Sequence, residues 1–318
     1  MTTRTVGASD LNVSPIGLGG NVFGWTADQA TSHRILDAYV DADGNLIDTA
    51  DGYSHWAPGH HGGESETVIG NWLRSRGRRD DVVIATKVST KPDRTGLAVE
   101  NIYFAIDESL DRLQTDYVDL YYAHFDDGDT PLEETVAAFE EVRLAGKTRH
   151  VALSNYTPDR IDEWCAIAAA NDFAPPIALQ PHYNLVHRQD VEGPGNRGEV
   201  AAAHHMGLVP YFSLASGFLT GKYRPGAEPE SARGAWVRDY LHPEFFAVVD
   251  VVREVAAAHA VAPAAVALAW LRDRPGVVCP LASARTSSQL APILEALSLA
   301  LEPEETAALT RVSDLAHA

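Results

Sequence analysis

The sequence predicts an α/β fold of eight strand–helix units closed into a (β/α)8 barrel, with a hairpin ahead of the first strand and long loops at one end. Three observations predict it. Short β-rich runs alternate with longer stretches of helical period. Eight such runs fit within 318 residues, the length a closed parallel barrel with insertions takes. No Gly-x-Gly-x-x-Gly follows any run, so the signature of an open doubly wound dinucleotide fold is missing. The whole chain, 1–318, reads as one domain.

The elements follow in order. Arg4 to Ser14 reads as a small hairpin turning at Gly7 to Asp10, placed to cap the N-terminal mouth. Ile16 to Gly19 is the first strand, followed by a helix near Asp28 to Val40. Asn45 to Asp48 is the second, with a helix from Glu64 to Arg76. Asp81 to Thr86 is the third, with a helix from Val99 to Leu113. Tyr117 to Tyr122 is the fourth, with a helix from Leu132 to Ala145. Thr148 to Leu153 is the fifth, with a helix from Pro158 to Ala170. Ile177 to Gln180 is the sixth, with a helix around Gly198 to His205. Leu208 to Phe212 and Gly276 to Pro280 are the seventh and eighth. Two irregular stretches, Ser54 to Gly63 and Ser213 to Pro243, have the length of binding loops or lids.

Bulk composition narrows the function. A net charge of -19 disfavours a nucleic-acid partner, which needs clustered Lys and Arg to neutralise phosphates. Cys165 and Cys279 form neither a CxxC pair nor a disulfide framework, which fits a reducing cytoplasm. The N-terminus lacks the apolar core of a signal peptide. The longest apolar region, Val248 to Leu271, is interrupted by Arg253, Glu254, His259 and Pro263, short of the roughly 18 uninterrupted residues of a membrane helix. The expectation is a soluble cytoplasmic protein with no membrane partner.

In a parallel barrel the chemistry sits at the C-terminal ends of the strands. Asp48 ends the second strand, Tyr53 follows five residues later, Lys87 ends the third, and His124 follows the fourth. Singly, Asp48 has an ordinary reading as a helix cap or turn residue and Tyr53 as a packing residue with a satisfied hydroxyl, and Lys87 or His124 alone is a weak signal. Together they suit carbonyl reduction. An alkoxide left by reduction must be protonated by a positioned acid, and tyrosine titrates near about 10. A neighbouring ammonium stabilises the phenolate and lowers that value. Lys87 supplies the charge, Asp48 holds Lys87 protonated and oriented, and His124 orients the carbonyl oxygen.

These residues resemble the aldo-keto reductase family, in its bacterial form. Asp48-Thr-Ala-Asp-Gly-Tyr53 resembles its DTAxxY segment, and Gly63-Glu-Ser-Glu66 with Ile69-Gly70 its GxSExxxG helix start. Ala85-Thr86-Lys87 matches the lysine strand, and Leu110 to Leu113 with Asp116 to Tyr121 leads to His124. Gly146-Lys147 with Leu153-Ser154-Asn155 resembles GKxRxxGxSN, and Gln180 to Asn184 resembles QxxYN. Pro210-Tyr211, Leu214-Ala215 and Gly217 to Tyr223 resemble PYSPLAxGxLTGKY. The resemblance runs from about Leu11 to Leu297.

It implies a single barrel that holds NADPH without a Rossmann domain, with Asp48, Tyr53, Lys87 and His124 as the catalytic set. Ser154, Asn155 and Gln180 would bond the nicotinamide carboxamide and Tyr211 would stack on the ring. Ser213, Leu214, Ala215, Gly217, Leu219 and Lys222 would lie along the pyrophosphate. Ser283, Arg285 and Gln289 would grip the adenosine end, where an Arg fork suits a 2′-phosphate. That favours NADPH over NADH. Ala282, Pro292-Ile293 and Phe212-Ser213 depart from the family pattern, and the first two keep NADH open as an alternative.

Substrate identity is expected in the loops. Phe23, Trp25, Trp56 and Phe125 are candidate walls for an aldehyde or ketone. His55, His60 and His61 lack an accompanying carboxylate or cysteine pair, so no metal is expected. Some members of this family bind NADPH yet act as auxiliary channel subunits with slow turnover, and that role is the alternative. A metal-dependent barrel hydrolase would want more His and Asp at strand ends than Asp48 and His124 supply. Oligomeric state is not legible.

Overall fold

In the computed structural model the described residues are 3–226 and 234–316. The chain begins with β1 (Arg4–Thr5) antiparallel to β2 (Asn12–Val13). Then come β3 (Gly17–Gly19), α1 (Gln29–Asp41), β4 (Leu46–Asp48) and α2 (Glu64–Arg76). Next are β5 (Val83–Val88), the small antiparallel pair β6 (Thr90–Lys91) and β7 (Arg94–Thr95), and α3 (Val99–Leu113). They are followed by β8 (Val118–Ala123), α4 (Leu132–Leu144), β9 (Thr148–Ser154) and α5 (Pro158–Ala170). The second half holds β10 (Ala178–Gln180), α6 (Arg197–Ala203), β11 (Gly207–Leu208), α7 (Gly234–Val237), α8 (Pro243–His259) and α9 (Pro263–Arg272). It ends with β12 (Leu281–Ala282), α10 (Ser287–Ala296) and α11 (Pro303–Ala316).

Eight strands form one parallel sheet in the order β11-β10-β9-β8-β5-β4-β3-β12. Leu208 bridges to Val277, and the N–H groups of Val278 and Leu281 donate to the carbonyls of Leu208 and Pro210. The segment leading into β12 thus joins the two edges of the sheet. The hairpin lies against strand entries: the Ala8 N–H donates to the His205 carbonyl and Arg4 to the Val277 carbonyl.

The helices start and stop on local chemistry. Asp28 accepts the Thr31 N–H at the head of α1, and Thr157 caps α5 ahead of Pro158, both satisfying orphan donors of a first turn. Gly77 ends α2 in the left-handed conformation. The predicted helices at 64–76, 99–113 and 158–170 match the observed α2, α3 and α5.

Three strand expectations need correction. β5 runs two residues further than read, so Lys87 lies within the strand. The eighth strand is Leu281–Ala282 and not Gly276 to Pro280. Pro280 has no N–H for the ladder; its carbonyl accepts from Gly17, and pairing with β3 proper begins one residue later. The seventh strand is also shorter, Gly207–Leu208, with His182–Tyr211 as an isolated bridge beyond it. Residues 54–63 are irregular, as expected. Of Ser213 to Pro243, Ala215–Thr220 and Arg238–Tyr240 are 3-10 turns, and 227–233 lie outside the described residues.

Strand parity decides where the site lies. Successive side chains of a strand point to opposite faces. Leu46, Val83, Ala85, Leu120, Tyr122, Ala152, Ala178, Val209 and Leu281 share one buried cluster, which Val6, Leu11 and Val13 of the hairpin region join. The alternate residues Ile47, Ile84, Tyr121, Val151, Leu153 and Leu179 belong to a second cluster with the helices. Two residues on from an inner position is an inner position again. Leu46 therefore leads to Asp48, Ala85 to Lys87, Tyr122 to His124, Ala152 to Ser154 and Ala178 to Gln180. Each polar group sits at the C-terminal edge of an apolar inner row.

Among the described residues no single helix is long and apolar enough to cross a membrane; α8 and α9 pass that test only together and are bent by 100°. Both cysteines are free and buried.

Candidate active site

At that edge Lys87 and Asp48 meet. The Lys87 ammonium donates to Asp48 Oδ2 at 2.7 Å, to the Thr49 carbonyl at 2.7 Å and to the Tyr53 hydroxyl at 3.1 Å. Tyr53 donates to Asp48 Oδ2 at 3.3 Å, and Gln180 holds the other oxygen, Nε2 to Oδ1 at 3.0 Å. The side chains of Lys87 and Asp48 are 0% and 2% exposed. Burial lowers the Lys87 pKa, and the Asp48 carboxylate opposes that shift. The His124 ring stands 6.1 Å from the Tyr53 ring. Burial, with the Lys87 charge adding to it, pushes the His124 pKa well below its ordinary value, so the imidazole is neutral. Its Nδ1 lies 3.3 Å from the Thr90 hydroxyl.

A cavity of about 660 Å³ opens on this group. Asp48, Tyr53 and His124 line one end; Lys87 is behind the wall. A second group of lining residues is Ser154, Asn155, Gln180 and Tyr211, a third is Ser213, Leu214, Gly217 and Lys222, and a fourth is Ser283, Arg285 and Gln289. Asn155 ties the second group together: its amide donates to the His124 carbonyl and to Ser154 Oγ, and its oxygen accepts the Tyr211 hydroxyl at 2.8 Å.

The donor set of the cavity fits an anionic dinucleotide. Lys222 and Arg285 have no carboxylate partner among the described residues, and the buried Ser216 hydroxyl lacks a hydrogen bond there. Gly217 has φ +95°, and a Cβ on it would come 3.3 Å from the Lys222 ammonium. A glycine is required there for the backbone turn, and it leaves the ammonium uncrowded.

Several expected residues fall elsewhere. Ala215 and Leu219 are fully buried in the core, away from the lining. The N–H groups of Ala215, Gly217 and Leu219 donate to the carbonyls of Phe212, Leu214 and Leu214, so this turn satisfies its own amides. Phe23 is also a core residue, with Ser54 Oγ donating to its carbonyl. Its strand-adjacent position suggested a substrate wall, but the chain folds inward there. Trp56 and Phe125 do line the cavity. Trp25 packs against Trp56, centroids 5.7 Å apart, without lining it.

The unforeseen wall is Trp236, which meets Trp56 at 5.6 Å and Trp25 at 6.0 Å. It is 180 residues from Trp56, and no local signal marked it. Ala282, Pro292 and Ile293 also line the cavity and add apolar surface to it. The His55 ring nitrogen Nδ1 bonds the Gly52 carbonyl, and the backbone N–H of His61 donates to the Glu64 carboxylate. Among the described residues no group of three or more His, Cys, Asp or Glu is placed to hold a metal ion.

The chain is similar to known proteins along nearly its whole length. A sequence model of the Aldo/keto reductase family matches residues 15–314. The chain is 33% identical to "Protein tas" of Escherichia coli, over 96% of this chain and 95% of that protein. It is 33% identical to a "Probable voltage-gated potassium channel subunit beta" of Arabidopsis thaliana, over 94% and 92%. It is 29% identical to an "Aryl-alcohol dehydrogenase [NADP(+)]" of Phanerodontia chrysosporium, over 93% and 81%. With that match across nearly its whole length, the chain belongs to the aldo/keto reductase family of oxidoreductases.

Proposed function

We propose that the protein is a cytoplasmic, single-domain NADPH-dependent reductase of aldehydes and ketones, with Tyr53 as the acid. The observation that carries the reading is the contact of the Tyr53 hydroxyl with the buried Lys87 ammonium at 3.1 Å. In this reading the joined sheet is the closed barrel of the family and the N-terminal hairpin plugs the end away from the site.

Ser154, Asn155 and Gln180 would hold the nicotinamide amide and Tyr211 its ring face. Lys222, with Ser213, Leu214, Ser216 and Gly217 around it, would meet the pyrophosphate, and Arg285 with Ser283 and Gln289 the adenosine phosphate. Bound NADPH supplies the reducing equivalent. The protein's own part is to position and protonate. Tyr53 delivers its proton to the oxygen of the substrate as negative charge develops there. Lys87 stabilises the phenolate left behind, and Asp48 keeps Lys87 charged in a buried place where desolvation opposes that charge. His124 is neutral, and a Thr90 hydroxyl donating to Nδ1 puts its proton on Nε2, available to the carbonyl oxygen. Trp56, Trp236 and Phe125 give the open end of the cavity an aromatic wall suited to a flat apolar carbonyl.

The test is oxidation of NADPH against a panel of aromatic, aliphatic and sugar carbonyls, alongside a binding titration of Tyr53→Phe. Turnover of at least one aldehyde, lost in Tyr53→Phe while NADPH still binds, supports the reading; full turnover in that variant overturns it. The similarity to a channel subunit beta favours a second reading, a cofactor-binding auxiliary subunit with weak turnover. Tight NADPH binding with negligible turnover across the panel would select it.

A further inference from the structure

Behind Tyr211 the rings continue. His182 stacks on Tyr211 with centroids 5.4 Å apart and planes 25° from parallel. His187 stacks on His182 at 3.7 Å and 8°, and its Nε2 is 3.0 Å from Asp190 Oδ2. Phe212 meets His182 edge-on at 5.4 Å. The Nε2 of His182 faces two donors, the Tyr240 hydroxyl at 2.7 Å and the Asn184 amide at 3.4 Å. A ring nitrogen approached by two donors offers its lone pair, so His182 is neutral and carries its proton on Nδ1. Burial and the adjacent His187 push its pKa down to about 3, in keeping with that assignment.

Tyr240 lies four residues beyond Trp236. One short piece of chain therefore touches both sides of the cavity: Trp236 packs on the substrate-side tryptophans, and Tyr240 reaches the back of Tyr211 through His182. Tyr211 is held at two places, its hydroxyl by Asn155 and one ring face by His182. The hydroxyl bond alone leaves the ring free to rock about its own long axis. The stacked imidazole removes that freedom only if its own rotation is stopped; His187 packs on it, and the Tyr240 hydroxyl, the shorter of the two contacts to Nε2, fixes its orientation.

We propose that His182 and Tyr240 are positioning residues for the Tyr211 ring, holding it at the tilt that receives the nicotinamide. The proposal rests on the reading of the cavity as an NADPH site. It assigns a role to a histidine and a tyrosine that do not themselves line the cavity and act through Tyr211, which does.

The experiment is a fluorescence binding titration of the wild type, Tyr240→Phe, His182→Phe and the double variant with two probes. One probe is NADPH; the other is adenosine 2′,5′-bisphosphate, which lacks the nicotinamide. Phe at 182 keeps a stacked ring but loses the acceptor. Removing one hydrogen bond is expected to raise the NADPH Kd about three- to tenfold in either single variant. Binding of the bisphosphate is expected to be unchanged, and the double variant to be no weaker than His182→Phe. NADPH binding equal to wild type in Tyr240→Phe overturns the proposal, as does equal weakening of both probes, the mark of general damage. Additive losses in the double variant also overturn it. Wild-type protein that binds neither probe overturns the cofactor reading itself, a result distinct from all of these.

Discussion

The Lys87 ammonium and the Asp48 carboxylate pair at 2.7 Å with both side chains closed to solvent. The pair ties β5 to β4 and sets the charge beside Tyr53. A buried pair of this kind is costly to break from one side, because the survivor is left charged and unpaired. Lys87→Met is expected to destabilise the fold by about 3–5 kcal/mol. Lys87→Met with Asp48→Asn should recover part of that loss, although activity stays absent. Denaturant melts of the two variants check this; a double variant less stable than the single contradicts it.

Tyr53→Phe removes one hydroxyl and leaves the Lys87–Asp48 pair in place. A lost general acid lowers kcat by roughly 100- to 10,000-fold, while NADPH affinity should stay within about twofold. Steady-state rates and a binding titration on the same preparation read both.

Arg285 half-faces the far end of the cavity with no carboxylate partner among the described residues. Arg285→Ala is expected to weaken NADPH about 10- to 100-fold, the worth of a charge-assisted bond. NADH, lacking the 2′-phosphate, should be little affected. Equal weakening of the two would remove Arg285 from the phosphate site.

Asp51 is 1% exposed, and neither carboxyl oxygen has a well-formed hydrogen bond among the described residues. Burial, helped by the Glu66 charge, raises its pKa from 3.8 to about 7. Between those values the folded state holds a proton that the unfolded chain has released, so stability falls as pH rises from about 4 to about 7 and is flat beyond. At about 1.4 kcal/mol per unit the fall is on the order of 2–4 kcal/mol. Asp51→Asn should remove it. Unfolding free energies of the two proteins across that range should diverge with rising pH; parallel curves would show that Asp51 is ionised throughout.

Much of the fold was legible because it is written in local rules. α2, α3 and α5 follow from helical period bounded by a glycine, a capping threonine and a proline, all read within a few residues. Asp48, Lys87 and His124 were legible because each stands at or just after a strand end, and Ser154 and Gln180 because their motifs resemble those of the family. The eighth strand was misread because Val277 and Val278 look like a strand and do pair, but with Leu208 on one side only. Phe23 was misread because an aromatic after a strand serves wall or core equally well, and the turn at Gly24 sends it inward.

By itself the sequence determined the strand–helix alternation, the polar residues at the strand ends and the resemblance carried by their spacing. These depend on residues close along the chain, where backbone geometry alone relates one side chain to the next. Only the tertiary structure decided that Trp236 lines the cavity beside Trp56, that Tyr240 backs Tyr211 through His182, and that Asp51 is buried among charges. Each is a contact between segments far apart in sequence, and such contacts depend on how the sheet brings its edges together.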